Sequence, residues 1–308
     1  MIPGLSSANG QFVTSVDNLQ TQLSNTQSQL STGLRVNQAS DAPQELTDIF
    51  QVRSDLAHVN QVSQNLSNVQ AFVNAGDSSV QSAIQLLENA LSLGAQGAST
   101  TASATLQGTL ATQVGDLLSQ LVGLSRTQVN GVYIFSGDQT GSAPYQLDSS
   151  SATGVKQLVT AQATQQIADS TGITFPISMT AQQIFDAQDA SNNPTPQNAF
   201  AALNGLQVAL QGGNLANIAS ALGNVKSASA YLNQQLGFYG TAQKRITSAI
   251  DLAKKFQLQD QTQLSNLQDA DTAALAIQLN QQTTQLNAAM AAEAKRPRTT
   301  LFDYLPLG

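Results

Sequence analysis

The feature that most constrains this chain is an apolar rhythm of alternating three- and four-residue steps, present at both ends and through much of the middle. Near the N-terminus Val16, Leu19, Leu23, Thr26 and Leu30 keep that rhythm, which puts them on one stripe of a helix. Gly33 closes the run, as a residue tolerant of positive φ can. Residues 33–43 read as a loop. Asp41-Ala42-Pro43 then predicts a new helix start, with a capping carboxylate, Pro in the first turn and Glu45 near the positive end of the dipole. From Pro43 onward Val52, Val59, Leu66, Val73, Val80 and Leu87 recur every seven residues. A helix sustained to about Thr101 would run roughly 90 Å at the α-helical rise, which predicts a rod. Gly94, Gly97 and the Ser/Thr cluster at 99–103 predict a turn. A third helix follows on Leu106, Leu110, Val114, Leu117, Leu121 and Leu124.

The pattern breaks at Asn130-Gly131. Val132-Tyr133-Ile134-Phe135 is β-rich, residues 155–160 and 173–175 are strand candidates, and Asn192 to Pro196 reads as a closing linker. Helical spacing returns with Leu203, Leu206 and Leu210, breaks at Gly212-Gly213, and continues from Leu215 to Ala253. Asp269-Ala270-Asp271 resets the register as a helix-start cluster. A final Ala-rich helix on Leu275, Leu279, Leu286 and Met290 runs toward Pro297, ahead of the apolar tail Leu301-Phe302-Asp303-Tyr304-Leu305. The expected fold is mainly α: an elongated antiparallel coiled-coil-like helical rod with a small mostly-β insert. Its expected segments are an N-terminal heptad helix and loop (1–42), rod helices (43–130), an outward β-rich insert (131–196), returning rod helices (197–268) and a C-terminal heptad helix with apolar tail (269–308). Because the chain goes out to the insert and returns, the long helices should pair antiparallel through Val52, Val59, Leu66, Val73, Leu222, Val225, Leu232 and Leu236. The two end segments should then lie side by side.

Composition narrows the function. Charged residues make up 10% of the 308 positions, 19 acidic against 12 basic, for a net charge of -7. That balance argues against a nucleic-acid binder, which needs a basic face to displace counterions. No Cys and the single His58 remove thiolate, imidazole-pair and disulfide chemistry. No HExxH, phosphate-cradling glycine loop or GxSxG occurs. No enzyme activity, catalytic residue, cofactor or metal is therefore expected. No apolar run of about 20 residues is present, so no membrane span is expected. The opening Met1 to Ser6 lacks a basic n-region, and no apolar core follows, so export by a route that reads no cleaved signal is the sharper expectation. Roughly 40 Gln carry the polarity instead.

Between Met1 and Leu34 the one charge is Asp17. An isolated helix with a single narrow seam is marginal in water. The end helices are therefore expected to order on assembly, burying Val16, Leu19, Leu23, Leu30, Leu275, Leu279, Leu286, Met290, Leu301, Phe302, Tyr304 and Leu305 between copies of the chain. The alternative is an antiparallel bundle that closes its own core.

Certain residues also carry a resemblance. Gln29-Leu30-Ser31-Thr32-Gly33-Leu34-Arg35-Val36-Asn37 is similar to the LSTGxRIN segment of the bacterial flagellin superfamily. The Asp269–Asp271 region and the Gln/Ala-rich helix after it resemble that superfamily's C-terminal end. The likeness covers roughly 4–145 and 215–305. Within the superfamily, Asp41-Ala42-Pro43, Asn130 to Gly137 and Leu301 to Leu305 resemble the SDDP, GxYxFxG and LFNYL segments of the hook-associated protein 3 family more than those of filament flagellins. Ala42 departs from the family's second acid, and Pro306-Leu307-Gly308 extends its ending. Around Leu87 to Leu93, Asn89 and Leu91 replace two arginines of flagellins that an innate immune receptor reads. The resemblance implies a self-assembling, secreted component of the extracellular flagellum at the hook–filament junction, with a filament flagellin as the alternative. A coiled-coil surface adhesin is the reading from another class. Implied partners are copies of itself, neighbouring hook, junction and filament proteins, and an export chaperone. Neither nucleic acid nor a membrane is implied.

Overall fold

The computed structural model describes residues 3–295, with side chains from Gly10 onward. In chain order the elements are α1 (Pro3–Thr32), α2 (Leu46–Gly97), α3 (Ala104–Ser125), β1 (Gln128–Val129), β2 (Val132–Tyr133), β3 (Tyr145–Leu147), β4 (Val155–Gln157), β5 (Gln166–Ala168), β6 (Thr174–Pro176), α4 (Ala181–Phe185), α5 (Ala199–Gly212), α6 (Leu215–Gln268) and α7 (Thr272–Ala294). The protein is thus mainly α, with long helices and three small antiparallel strand pairs, β1–β2, β3–β4 and β5–β6. The chain forms two compact units: Met1–His58 with Phe256–Gly308, and Val59–Lys255.

In the second unit the seven-residue series is a buried spine. Leu66, Val73, Val80 and Leu87 of α2 have no exposed surface, and Val225 and Leu232 of α6 share the same core, with Leu222 and Leu236 packed on it. Val52 in the first unit and Val59 in the second are buried as well. Glycine lets helices approach where a side chain would intervene. A Cβ on Gly76 of α2 would sit 2.4 Å from the ring of Tyr239 on α6. Helix α3 packs on α5, and four aromatic side chains of the core form one cluster. Phe135 meets Phe185 edge-on at 5.5 Å, and Phe200 lies 5.1 Å from Tyr145 and 6.0 Å from Phe185. Beneath it Asp186 is buried and accepts from the Tyr145 hydroxyl (2.8 Å), Gln188 Nε2 (2.7 Å) and Asn198 Nδ2. Neutral donors thus satisfy a carboxylate that burial would otherwise penalise heavily. Burial, then the adjacent carboxylate, pushes the Tyr145 phenol far above its usual range.

Several boundaries differ from the sequence reading, each for a local reason. The second helix begins at Leu46, after a turn, rather than at Pro43. The Asp41 carboxylate points back instead, accepting from the backbone N–H of Asn37 (2.9 Å) and Gln38 (2.8 Å). It closes the preceding loop rather than capping the following helix. The expected strand at 132–135 pairs only over Val132–Tyr133: Asn130 (φ 52°) and Gly131 (φ 79°) form the two-residue turn that joins it to β1, and β1 itself spans only Gln128–Val129. Ile134 and Phe135 go into the core. Gly137 (φ 51°) could carry no Cβ, since one would fall 2.2 Å from the Gln162 carbonyl oxygen. Helix α4 and strands β1, β3 and β5 lie outside the elements the sequence predicts. Helix α4 is held by a capping box between Thr180 and Gln183.

Asp residues start three loops of the insert. Asp148 accepts from Ser150 N–H, Asp169 from Thr171 and Ile173 N–H, and Asp189 from Ser191 and Asn193 N–H. These bonds hold all three carboxyls below their usual range. The Ser150 and Thr171 hydroxyls lead for the first two, and the Asn193 and Ser191 amides lead for the third. A folded carboxyl with a lowered pKa adds stability that is complete above the ordinary carboxylate range. That contribution is lost as pH falls through the lowered value. An Asn at 169 keeps an acceptor oxygen without the titration. The drop in melting temperature from about pH 6 to about pH 3 should therefore be smaller in Asp169→Asn than in the native chain.

Gly76→Ala should destabilise the chain by about 1–3 kcal/mol in denaturant unfolding, since the Tyr239 ring has nowhere to move in a filled core. Gly205→Ala in α5, with open space around the added Cβ, should be neutral or stabilising by up to about 1 kcal/mol.

Candidate assembly surface

The first unit brings the two ends of the chain together, and the residues that join them are those singled out by motif. Helix α1 packs on α7. Gly33 turns the chain out of α1 with φ 71°, a conformation that favours glycine. Leu34 and Asp269 then form an antiparallel bridge. Ala270 N–H donates to the Gly33 carbonyl (2.9 Å), and Arg35 N–H donates to the Gln268 carbonyl (2.7 Å). The Arg35 guanidinium pairs with Glu45 and also donates to the Leu267 carbonyl (2.7 Å). Arg53 donates to the Gln268 side-chain oxygen at 2.9 Å, and Gln29 Nε2 to the Arg35 carbonyl at 2.9 Å. Val36 beneath this strap is buried. Asp271 caps α7, accepting from Ala273 and Ala274 N–H at 3.0 Å each, which satisfies donors that a helix N-terminus leaves open. Asp260 is held above the ordinary carboxylate range by burial and by Asp55.

The seam residues fall as follows. Val16, Leu19, Leu23 and Leu30 of α1 are half-buried, Leu275 is buried, Leu279 and Leu286 are half-buried, and Met290 is exposed. Leu301, Phe302, Tyr304 and Leu305 lie outside the described residues. Much of the seam is thus covered within one chain by the α1–α7 pairing. What stays open is a different set, which the three–four rhythm passed over: Val13 at 56% exposure, Phe50 at 59%, Leu258 at 66% and Ile277 at 61%, together with Met290 at 54%. Ile277 lies two residues, about 200°, round the helix from Leu275, so a search for one stripe misses it.

The polar part of this surface is almost free of charge. Within α1 and α7 the ionic residues are Asp17 and Glu293. The hydroxyls of Thr14, Thr21, Thr26, Thr32, Thr283 and Thr284 each donate to the carbonyl four residues back. Their protons are satisfied inside the helix, so covering these hydroxyls strands no hydroxyl donor. His58 is exposed on α2. Among the described residues no three His, Cys, Asp or Glu side chains gather as a metal site, and no helix is long and apolar enough to cross a membrane.

With this geometry in view, comparisons place the N-terminal part of the chain. Residues 7–140 match the family model of the bacterial flagellin N-terminal helical region. No curated protein sequence matches the chain. Solved structures share its fold at low identity. A Vibrio parahaemolyticus protein classed with the flagellar hook-associated proteins has a TM-score of 0.65 at 14% identity, covering 74% of this chain and 100% of its own. Flagellar hook-associated protein 3 from Legionella pneumophila has a TM-score of 0.61 at 12% identity, covering 71% and 98%. FlgL from Xanthomonas campestris has a TM-score of 0.57 at 13% identity, covering 70% and 99%.

Removing the strap's charged tie should loosen it locally. In Arg35→Ala, limited proteolysis within residues 33–45 should speed up severalfold, with no change in the melting of the Val59–Lys255 unit.

Proposed function

We propose that this chain is a structural subunit of the bacterial flagellum, exported and then assembled with copies of itself at the hook–filament junction. The observation that carries this reading is the strap in which the flagellin-like segment 29–37 is hydrogen-bonded to residues 267–270. It is supported by the match over residues 7–140 and by the fold shared with solved structures of flagellar hook-associated proteins, hook-associated protein 3 among them. The strap holds α1 against α7 and leaves their nearly uncharged outer faces, with Val13, Ile277 and Met290, for neighbouring subunits. Burying such a surface removes apolar area from water at about 25 cal/mol per Å² and requires little charge desolvation. The subunit-interface residues Val16, Leu19, Leu23, Leu30, Leu275, Leu279 and Leu286 act in this reading by fixing the helix pair that presents the outer face. Partners are other copies, the adjoining hook, junction and filament proteins, and an export chaperone. The role is structural rather than catalytic.

Immunogold labelling of isolated flagella tests the location. A single labelled band near the hook is the expected result, and labelling along the whole length would make the chain a filament subunit instead. Leu23→Asp should abolish the band while the Val59–Lys255 unit melts as in the native chain. A Leu23→Asp chain that still appears in flagella at native levels would contradict assembly through the end helices.

A further inference from the structure

Two surfaces of the Val59–Lys255 unit lack a partner and complement each other in charge. The first is an open groove of about 390 Å³ between the β5–β6 hairpin and α6. Its floor is apolar, with Phe175 buried and Ile173 standing 65% exposed at the lip. Its α6 wall carries Lys244 and Arg245, both exposed. The Arg245 guanidinium lies 5.7 Å from the centroid of the Phe175 ring, close enough for the ring face to hold the cation in place. Among the described residues neither cation lies in a salt bridge. Asp169 also lines the groove, but its carboxylate is engaged by Thr171 and Ile173 of its own loop.

The second surface is a depression of about 470 Å³ framed by α3, the β3–β4 hairpin and α5. Leu147 is 50% and Val208 58% exposed there. Asp116 stands exposed beside them, without an ion pair among the described residues. The contrast extends beyond these residues. The insert, 131–196, holds five Asp and one cation, Lys156, whereas α6 carries Lys226, Lys244, Arg245, Lys254 and Lys255 against Asp251 and Asp260.

One face thus sets an exposed aliphatic residue beside two cations, and the other sets exposed aliphatic residues beside a carboxylate. Copies of a chain with net charge -7 repel one another unless their few cations lie where a neighbour's acids arrive. We infer that the groove between α6 and the β5–β6 hairpin of one copy receives the Asp116–Leu147 face of the next. Lys244 and Arg245 meet the carboxylate, and Ile173 meets Leu147. Such a contact joins two different faces, so it propagates head to tail and closes into a ring where the rotation permits. This rests on the assembly reading above and names the surfaces it uses.

The absence of Cys from the chain makes disulfide cross-linking a clean test. Ser248 on the groove wall and Ser149 on the acidic face are both exposed. Ser248→Cys and Ser149→Cys chains are co-expressed in the bacterium that makes this protein, and its isolated flagella are resolved without reductant. A band at twice the chain mass is expected from the mixture and not from either variant alone. Lys244→Glu in the Ser248→Cys chain should reduce that band severalfold, and Asp116→Lys in the Ser149→Cys chain should restore it. Restoration by a second charge reversal separates pairing from a folding defect. Chains present in flagella without the mixed disulfide, or a Lys244→Glu loss that Asp116→Lys does not reverse, would overturn this contact and leave the assembly reading standing. Absence of the chain from flagella would remove both.

Discussion

The rest of the first unit depends on a short backbone contact between segments more than 200 positions apart: Gly33 to Arg35 against Gln268 to Ala270. Helices α1 and α7 have little to hold them singly, since each has one narrow apolar stripe and nucleating a helix is costly. Tying their adjacent ends makes their pairing intramolecular and fixes its register. The tie itself is well furnished. Two backbone bonds, a bridge at Leu34, the Arg35 guanidinium and the Gln268 side chain all take part in it, next to buried Val36. Once Gly33 adopts positive φ, the strap leaves α1 in the direction that lets these donors and acceptors meet. A residue with a Cβ there would strain the backbone at that one turn.

Given that tie, the shortage of charge on α1 and α7 becomes intelligible. Two paired helices in a free-standing domain usually carry charges on their outer faces. Here the outer faces hold amides, hydroxyls bonded back to their own backbone, and a few aliphatic side chains. A charged face resists burial because desolvation opposes association. A neutral one with its hydroxyl donors already paired resists less. The same chemistry makes the surface undemanding about register, since amides and threonines accept many neighbours.

Much of this was legible before any coordinates. The seven-residue series from Val52 to Leu87, the Gly212-Gly213 break and the Asp271 restart follow from periodicity and capping, which act within one or two turns of chain. Helix α5 indeed ends with Gly213 at positive φ. What failed was also local in sequence but decided from elsewhere. Asp41-Ala42-Pro43 has the composition of a helix start, yet the carboxylate has nearer donors in Asn37 and Gln38, and the helix waits until Leu46. The open apolar residues Val13, Phe50, Leu258 and Ile277 were invisible for a different reason. A search for one stripe registers residues that face the chain's own partner helix. Residues off that stripe, from about 60° round the helix for Val13 to about 160° for Ile277, have no periodic signal of their own. The Arg35–Glu45 tie and the Asp186 anchor are likewise set by tertiary approach, not by spacing.

The two units divide the work of association under the proposed reading. Apolar and neutral contacts supply attraction without much selectivity, whereas paired charges add little net energy but penalise wrong orientations. The end helices are almost purely of the first kind. The Val59–Lys255 unit holds the second kind, with cations concentrated on α6 and acids in the insert. Neither chemistry alone specifies an assembly of defined geometry. The neutral helices could slide past one another, and the rim charges could not hold subunits together in salt. Opposite charges on different faces of one unit would set the angle between successive copies while the end helices supply the adhesion. Sequence that places five cations on one helix of an acidic chain is then better explained by a neighbour's acids than by its own, because within the chain α6 forms a single weak ion pair, Lys254 with Asp251 at 3.9 Å, among the described residues.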